Sequence, residues 1–191
     1  NPLTNIPTES YISPFSDISN VKWAKDAIYA MAKEGIIAGD ESGKFNPDNF
    51  VKREEFVKML VMAADMYNAD AKCELNDVDA GAWYYSYVAS AYNSNMVYGT
   101  SESTFGIGEY ITRQDMAVMC YRVAKNTNRL NKVRDSVSFA DESSISDYAK
   151  EAVNALYEAG GINGVGNNMF DPSGTATRAQ AAVMIHNLFV K

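Results

Sequence analysis

The sequence predicts a mostly α-helical protein built from three helix–loop–helix repeats. One six-residue pattern occurs three times, at residues 51–56, 111–116 and 176–181. Each copy places an arginine directly before apolar residues that follow at offsets of three, six, seven and ten. These offsets describe one face of an α-helix. We therefore expect each repeat to end in an amphipathic helix with an arginine in its first turn.

The residues before each arginine also recur in a fixed order. An apolar residue is followed by an aspartate at +2, and then by a tryptophan, a glycine, a phenylalanine and the arginine at +8, +24, +30 and +38. In the third repeat the last four arrive one residue late, which indicates an insertion near residues 143–144, and a tyrosine replaces the tryptophan. The three sets are Phe15, Asp17, Trp23, Gly39, Phe45 and Arg53; Leu75, Asp77, Trp83, Gly99, Phe105 and Arg113; and Phe139, Asp141, Tyr148, Gly164, Phe170 and Arg178.

Each repeat contains the same elements in the same order. A first helix follows the aspartate and is expected to carry the tryptophan, as Trp23, Ala27, Ile28 and Met31 indicate for repeat one. A glycine-rich loop comes next, in which the recurring glycines are expected at positive-φ or close-approach positions and the phenylalanines anchor the loop to the core. The arginine-headed helix closes the repeat. Two helices and a loop cannot bury both apolar faces alone, so the three repeats should pack together.

This pattern divides the chain into six segments. Residues 1–14 hold three prolines and read as an extended leader. There is no initiator methionine and no signal-peptide pattern at the start, so we expect a processed chain or a piece of a longer protein. Repeats are assigned to 15–67, 75–125 and 139–191, with linkers at 68–74 and 126–138.

Composition excludes several classes of function. The net charge of −7 and the isoelectric point near 4.7 argue against nucleic acid as a partner. No apolar run is long enough to insert in a membrane. Cys73, Cys120 and the one histidine, His186, do not form a metal-ligand pattern, so no metal or other cofactor is expected. A disulfide between the two cysteines is left open.

The starts of the second helices contain residues suited to capping. Thr112 and Thr177 are predicted N-caps, and Asp115 and Gln180 are placed to complete capping boxes. In repeat one Lys52 takes the place of the threonine, so capping is expected to be weaker there.

Capping does not explain the arginine. A cation in the first turn faces the positive end of the helix dipole, which costs a few tenths of a kcal/mol. One explanation is an ion pair with the recurring aspartate, Asp17, Asp77 or Asp141. The other is that the arginine and the neighbouring helix N–H groups form an anion site, since a guanidinium and a helix N-terminus both suit a carboxylate or a phosphate.

The combined pattern resembles the S-layer homology (SLH) domain. The family's Ile-Thr-Arg-Ala-Glu motif has close variants at 111–115 and 176–180, and the resemblance covers residues 15–191 with three tandem copies. It implies a pseudo-three-fold prism around a central three-helix bundle. It further implies that grooves between the repeats bind a secondary cell-wall polysaccharide, through a pyruvate-ketal-bearing N-acetylmannosamine.

The resemblance also suggests roles for individual residues. The arginines would clamp the pyruvyl carboxylate, and the recurring glycines would let the sugar approach the backbone. Trp23 and Trp83 would stack on the sugar, although both rings could instead belong to the core, and the displaced Tyr148 argues against stacking in its repeat. The expected ligand-binding residues are Arg53, Arg113, Arg178, Lys52, Thr112, Thr177, Gln114, Gln180, Asp17, Asp77, Asp141, Trp23, Trp83, Gly39, Gly99 and Gly164.

The predicted function is non-covalent anchoring of a larger surface protein to an acidic cell-wall polysaccharide, outside the cell. The alternative is a protein-interaction scaffold that uses the same grooves for a peptide or a sibling subunit. Catalysis is not expected, because no nucleophile, phosphate-loop or metal motif is present. The oxygen-rich stretch 40–46 lacks the EF-hand ligand pattern. We also expect Arg113→Ala to weaken polysaccharide binding with little change in the thermal midpoint.

Overall fold

The computed structural model describes residues 15–190, so the predicted leader 1–14 lies outside the described residues. The described chain contains six α-helices and a short 3-10 turn at Glu142–Ser144. No strand is formed within it, although isolated β-bridges are. The helices are α1 (Lys25–Lys33), α2 (Arg53–Ala63), α3 (Tyr85–Asn93), α4 (Arg113–Asn126), α5 (Asp147–Glu158) and α6 (Arg178–Phe189).

The second helices of the repeats, α2, α4 and α6, form the centre of the molecule. Each begins at its arginine, as predicted. The apolar stripe that follows is buried in all three helices, apart from the half-buried Ala63 in α2. α6 packs against both α2 and α4. The predicted central bundle of three helices is therefore confirmed.

The first helices pack on the second helix of the preceding repeat. α3 lies against α2, α5 lies against α4, and α1 closes the circle by lying against α6. Each first helix thereby covers an apolar face that its predecessor cannot bury alone. The result is a closed, mostly α-helical arrangement of three helix–loop–helix repeats.

A ring of backbone hydrogen bonds joins the three repeats just before the central helices begin. The N–H of Val51 donates to the carbonyl of Ala176, that of Ala176 to Ile111, and that of Ile111 back to Val51, at 3.0, 3.0 and 3.1 Å. All three side chains are fully buried. This ring fixes the starts of the three central helices relative to one another.

The glycine-rich loops are anchored as predicted. Phe45, Phe105 and Phe170 are fully buried. The next residue in each loop has a positive φ, and in repeat one it is Asn46, with φ of 57°. Asparagine, glycine and aspartate tolerate this conformation best, and these are the residue types that follow the three phenylalanines.

Candidate functional site

Each recurring arginine extends from its own repeat to the loop of the next one. Arg113 donates from Nε to the Phe170 carbonyl at 2.8 Å and from Nη2 to the Asn163 carbonyl at 3.2 Å. Its guanidinium carbon lies 5.0 Å from the centre of the Phe170 ring. Arg53 and Arg178 make the equivalent bonds to the loops of repeats two and one. Burial lowers the pKa of all three guanidinium groups.

The alternative of a direct ion pair with Asp17, Asp77 or Asp141 is not realised among the described residues, where these carboxylates stabilise the charged guanidinium groups only from beyond contact distance. The three carboxylates instead accept backbone N–H groups at the loop phenylalanine and the residue after it. Asp77 also binds a third N–H, that of Ile107, at 2.9 Å. Burial opposes ionisation of Asp77, but these three hydrogen bonds outweigh it and lower its pKa. The aspartates therefore shape the loops.

The predicted use of helix N–H groups for anion binding is also wrong. The N–H groups of Arg53, Arg113 and Arg178 each donate to a backbone carbonyl of another repeat at 2.9 Å. The predicted N-caps are confirmed, since the hydroxyls of Thr112 and Thr177 accept hydrogen bonds at 3.2 Å from the backbone N–H groups of Asp115 and Gln180. These two donors are the third residues of their helices, the position called N3. In repeats two and three these bonds occupy N–H groups that an anion would need, and in repeat one the Arg53 N–H is occupied in the same way.

The predicted capping box forms in repeat three and not in repeat two. Oε1 of Gln180 accepts the Thr177 N–H at 3.1 Å, and in repeat one Glu55 accepts the Lys52 N–H at 2.9 Å. The Asp115 carboxylate is directed elsewhere. Its Oδ1 accepts the Tyr148 hydroxyl at 2.8 Å, which together with burial raises the pKa of Tyr148 to about 12.

The three arginines line three open grooves, each built by all three repeats. One repeat supplies the arginine, the next supplies the glycine of its loop, and the remaining one supplies an aromatic ring. Their volumes are about 450, 350 and 300 Å³, within the range of small-ligand sites. Groove A contains Arg178, Gly39 and Trp83; groove B contains Arg53, Gly99 and Tyr148; groove C contains Arg113, Gly164 and Trp23.

The tryptophans are not core residues. Trp23 and Trp83 are 61% and 55% exposed, and both lie in the turn before the first helix of their repeat. In groove A the Nζ of Lys58 lies 5.6 Å from the centre of the Trp83 ring. Each groove thus pairs an accessible ring with a guanidinium.

The recurring glycines are required because neighbouring backbone atoms leave no room for a Cβ, and not because their backbone adopts a positive φ. A Cβ at Gly99 would overlap the carbonyl oxygen of Thr104, and one at Gly164 would lie 2.6 Å from the carbonyl oxygen of Met169. None of Gly39, Gly99 and Gly164 has a positive φ. Their loops therefore need glycine whether or not a ligand is bound.

The structure separates the predicted site residues into two groups. Those that line a groove are the three arginines, the two tryptophans, the three glycines and Gln180. Gln114 is buried, and its side-chain oxygen accepts the Ser146 N–H at 3.1 Å, which fixes the start of α5. The predicted residues that lie outside the three grooves are Lys52, Thr112, Thr177, Gln114, Asp17, Asp77 and Asp141.

Apart from Gln180, sequence reasoning missed the residues that the central helices contribute to the grooves after the arginine. The N3 residue, and the residues three and four positions after it, line the same side of each groove. Their common spacing from the arginine was the available signal, but the methionines among them also fit the core stripe. The three sets are Glu55, Lys58 and Met59; Asp115, Val118 and Met119; and Gln180, Val183 and Met184.

The grooves differ in charge. Groove A combines Arg178, Lys44 and Lys58 with Asp40 and Glu55. Groove B combines Arg53 and Arg122 with Asp115, whose Oδ2 lies 3.8 Å from Nη1 of Arg53. Among the residues that line groove C, Arg113 is the one charged side chain. Groove C is therefore the one of the three with no carboxylate among its lining residues.

Two further sequence hypotheses concern the oxygen-rich stretch 40–46 and the two cysteines. In the stretch 40–46, the Asp40 carboxylate accepts hydrogen bonds from Ser42, Lys44 and Asn46, so loop donors occupy its oxygens. The hydrogen bonds hold the pKa of Asp40 well below its usual range. Cys73 and Cys120 are free thiols.

None of the helices between residues 15 and 190 has the length and hydrophobicity of a membrane span.

The recurrent architecture corresponds to a known family. The S-layer homology domain matches the chain three times, at residues 14–57, 74–117 and 138–182. The chain belongs to the S-layer homology domain family. The three SLH matches include the glycine loop and the arginine of every groove.

Relatives of this SLH chain are much longer proteins. It is 31% identical to an amylopullulanase of Thermoanaerobacterium thermosulfurigenes, over 95% of this chain and 10% of that protein. It is 33% identical to the exoglucanase XynX of Acetivibrio thermocellus, over 93% of this chain and 16% of that protein. It is 27% identical to the surface-layer 125 kDa protein of Lysinibacillus sphaericus, over 95% of this chain and 15% of that protein. The chain thus spans a small part of each, and the SLH and S-layer relationships support a cell-surface role in anchoring proteins to the wall.

Proposed function

We propose that this chain anchors a larger surface protein to the bacterial cell wall by binding an acidic polysaccharide in its inter-repeat grooves. The observation that carries this proposal is groove C, which holds a guanidinium and an exposed indole ring and has no carboxylate among its lining residues. A carboxylate-bearing sugar offers a matching anion and an apolar ring face. A pyruvylated N-acetylmannosamine at a chain end has this chemistry.

The arginine of groove C keeps one guanidinium nitrogen, with its two N–H groups, available for a ligand. Nε and Nη2 of Arg113 are used by the loop, whereas Nη1 has no hydrogen-bond partner within residues 15–190. The guanidinium is held rigidly by these two bonds and by the ring of Phe170 beneath it. A preorganised donor of this kind loses little entropy when a carboxylate binds.

The pattern in groove A supports the same function. Nη1 of Arg178 likewise has no partner among the described residues, and Trp83 is exposed beside it. Lys58 adds a second cation, while Glu55 offsets part of the charge. Two grooves on one molecule would bind neighbouring polymer ends together, which raises the overall affinity without further contacts.

The proposal is tested by retention on cell-wall sacculi of the producing bacterium. We expect retention on intact sacculi, loss after acid removal of the polysaccharide, and loss after chemical reduction of its carboxyl groups. Trp23→Ala should weaken retention roughly tenfold, since an exposed aromatic contact of this kind is worth about 1 kcal/mol or more. Tyr110→Ala is the matched control, because Tyr110 is exposed and lines none of the three grooves.

Two results would contradict the proposal. Undiminished retention on acid-stripped sacculi would indicate a protein or peptidoglycan partner instead. Equal losses from Trp23→Ala and Tyr110→Ala would show that groove C has no special role.

A further inference from the structure

Groove B differs from both other grooves at the aromatic position and at the N3 position, and these two side chains bind each other. Tyr148 stands where grooves A and C have tryptophan, and Asp115 stands where they have Glu55 and Gln180. The Tyr148 hydroxyl donates to Oδ1 of Asp115 at 2.8 Å. The tyrosine thus binds the N3 side chain of groove B, whereas the N3 side chains of grooves A and C accept the N-cap N–H of their own helices.

The length of the N3 side chain explains where the carboxylate of Asp115 lies. Glu55 and Gln180 reach back to the N-cap N–H of their own helices, at 2.9 and 3.1 Å. Aspartate is one methylene shorter. Its Oδ2 lies instead 3.8 Å from Nη1 of Arg53, inside groove B. The N3 side chain lines every groove, but in grooves A and C it is bound to the N-cap of its own helix, whereas in groove B its carboxylate lies beside the arginine.

Asp115 lies beside the donor that a ligand would need. Nε and Nη2 of Arg53 bind the carbonyls of Phe105 and Tyr98, which leaves Nη1 facing the groove. In grooves A and C, this atom has no partner among residues 15–190. An incoming carboxylate in groove B would meet a like charge near the same nitrogen, and like charges at this separation repel.

We propose that Asp115 acts as a built-in carboxylate that closes groove B to acidic sugars, so that two of the three grooves bind the polymer. Asp115 is then the residue that determines which grooves accept an anion. This inference rests on the proposed function of the grooves. It adds a selectivity among them that the recurring arginine, present in all three, does not predict.

Methionine methyl groups provide a separate probe for each groove. Met59 lines groove A, Met119 lines groove B and Met184 lines groove C, at equivalent positions. The full chain, labelled with ¹³C at its methionine methyls, is titrated with pyruvylated N-acetylmannosamine and followed by NMR. In the wild-type chain we expect the Met59 and Met184 signals to shift and the Met119 signal to stay in place.

Asp115→Glu is the decisive variant, because glutamate can reach back to the Thr112 N–H and leave Nη1 of Arg53 free. We expect the Met119 signal to respond, with apparent affinity in groove B roughly tenfold or more above the wild-type value. Asp115→Asn removes the charge without relying on the new cap and should shift Met119 in the same direction. Asp135→Glu, at an exposed aspartate, is the matched control and should leave the wild-type pattern unchanged.

The possible results distinguish a failure of the role of Asp115 from a failure of polysaccharide binding in the grooves. A Met119 response in the wild-type chain equal to that of Met184 overturns the inference, as does a silent Met119 in both Asp115 variants while Met184 still shifts. Silence of all three signals in every variant overturns the proposed function and this inference with it.

Discussion

The arginine in the first turn of each central helix has two roles on one side chain. Two nitrogens of Arg113 hold the loop of the next repeat, and the third faces groove C. The unfavourable helix dipole costs a few tenths of a kcal/mol, whereas a hydrogen bond to a charged group contributes about 1.5–3 kcal/mol. The hydrogen bonds to the loop therefore contribute more free energy than the helix dipole costs. The arginine stabilises the fold at this position even without a ligand.

The expectation that Arg113→Ala leaves the thermal midpoint nearly unchanged is accordingly revised. Arg113 is 5% exposed, and its loss leaves the carbonyls of Phe170 and Asn163 without their donors. We now expect Arg113→Gln to lower the free energy of unfolding by about 2–4 kcal/mol, measured by urea denaturation. Lys22→Gln removes the same charge at an exposed site and should change it by less than about 0.5 kcal/mol. Equal stability of the two variants would contradict the loop-holding role.

A second residue-scale prediction concerns the glycine of the loop. Gly99→Ala would force a Cβ onto the Thr104 carbonyl oxygen, and we expect a loss of about 2 kcal/mol or more in unfolding free energy. Gly81→Ala is the control, because a Cβ there comes no closer than 3.5 Å to its nearest neighbour, Asp79. Thermal unfolding followed by circular dichroism distinguishes them. A Gly99→Ala protein as stable as the control would show that the loop can relax.

At the scale of the elements, the sequence predicted the central helices well. Each starts at its arginine, because cap residues and an apolar stripe are local signals. The first helices α1 and α3 begin two residues after the tryptophan, which lies in a turn and is exposed. Periodicity alone could not show this, since an aromatic residue beside an amphipathic stripe fits either the core or the surface.

The partners of the charged groups could not be predicted from the sequence. Arg113 binds carbonyls 50 and 57 residues away, and backbone groups have no sequence signature. The recurring aspartates bind N–H groups of their own loops for the same reason. The capping pair at Thr112 did not form because the aspartate side chain is one methylene shorter than Glu55 or Gln180, and its carboxylate accepts the Tyr148 hydroxyl of another repeat.

An element-scale prediction follows from the start of α2. Lys52 occupies the N-cap position there without a side-chain acceptor, although Glu55 already binds its N–H. We expect Lys52→Thr to complete the capping box and raise the unfolding free energy by about 0.5–1 kcal/mol, measured by urea denaturation. Thr177→Ala, which removes the equivalent cap from α6, should lower it by about 1 kcal/mol. No gain from Lys52→Thr would indicate that the ring of backbone bonds alone fixes this helix start.

At the scale of the whole molecule, the repeats form a circle and not a row. α1 of the first repeat packs on α6 of the third, and each arginine reaches into the following repeat, with Arg178 returning to the first. The expected grooves between repeats could be predicted from the family resemblance. Their composition could not, because each groove joins residues from all three repeats.

Removal of one repeat should therefore destabilise the other two. We expect a chain that ends at residue 137 to lose cooperative unfolding, because α1 loses its packing partner α6 and Arg113 loses the carbonyls that it binds. The full chain should unfold in one transition. Denaturant titration followed by circular dichroism measures both. A two-repeat chain with a cooperative transition at the same midpoint would contradict the closed arrangement.

The ring of bonds among Val51, Ile111 and Ala176 has a consequence for how such modules can evolve. A gene that gained or lost one copy of the unit would break the circle and disrupt every groove in the same event. Heritable changes in copy number are therefore expected in triplets. Within a triplet, the proposed role of Asp115 implies that a single substitution at residue 115 would close or open groove B without altering the residues of the other two grooves.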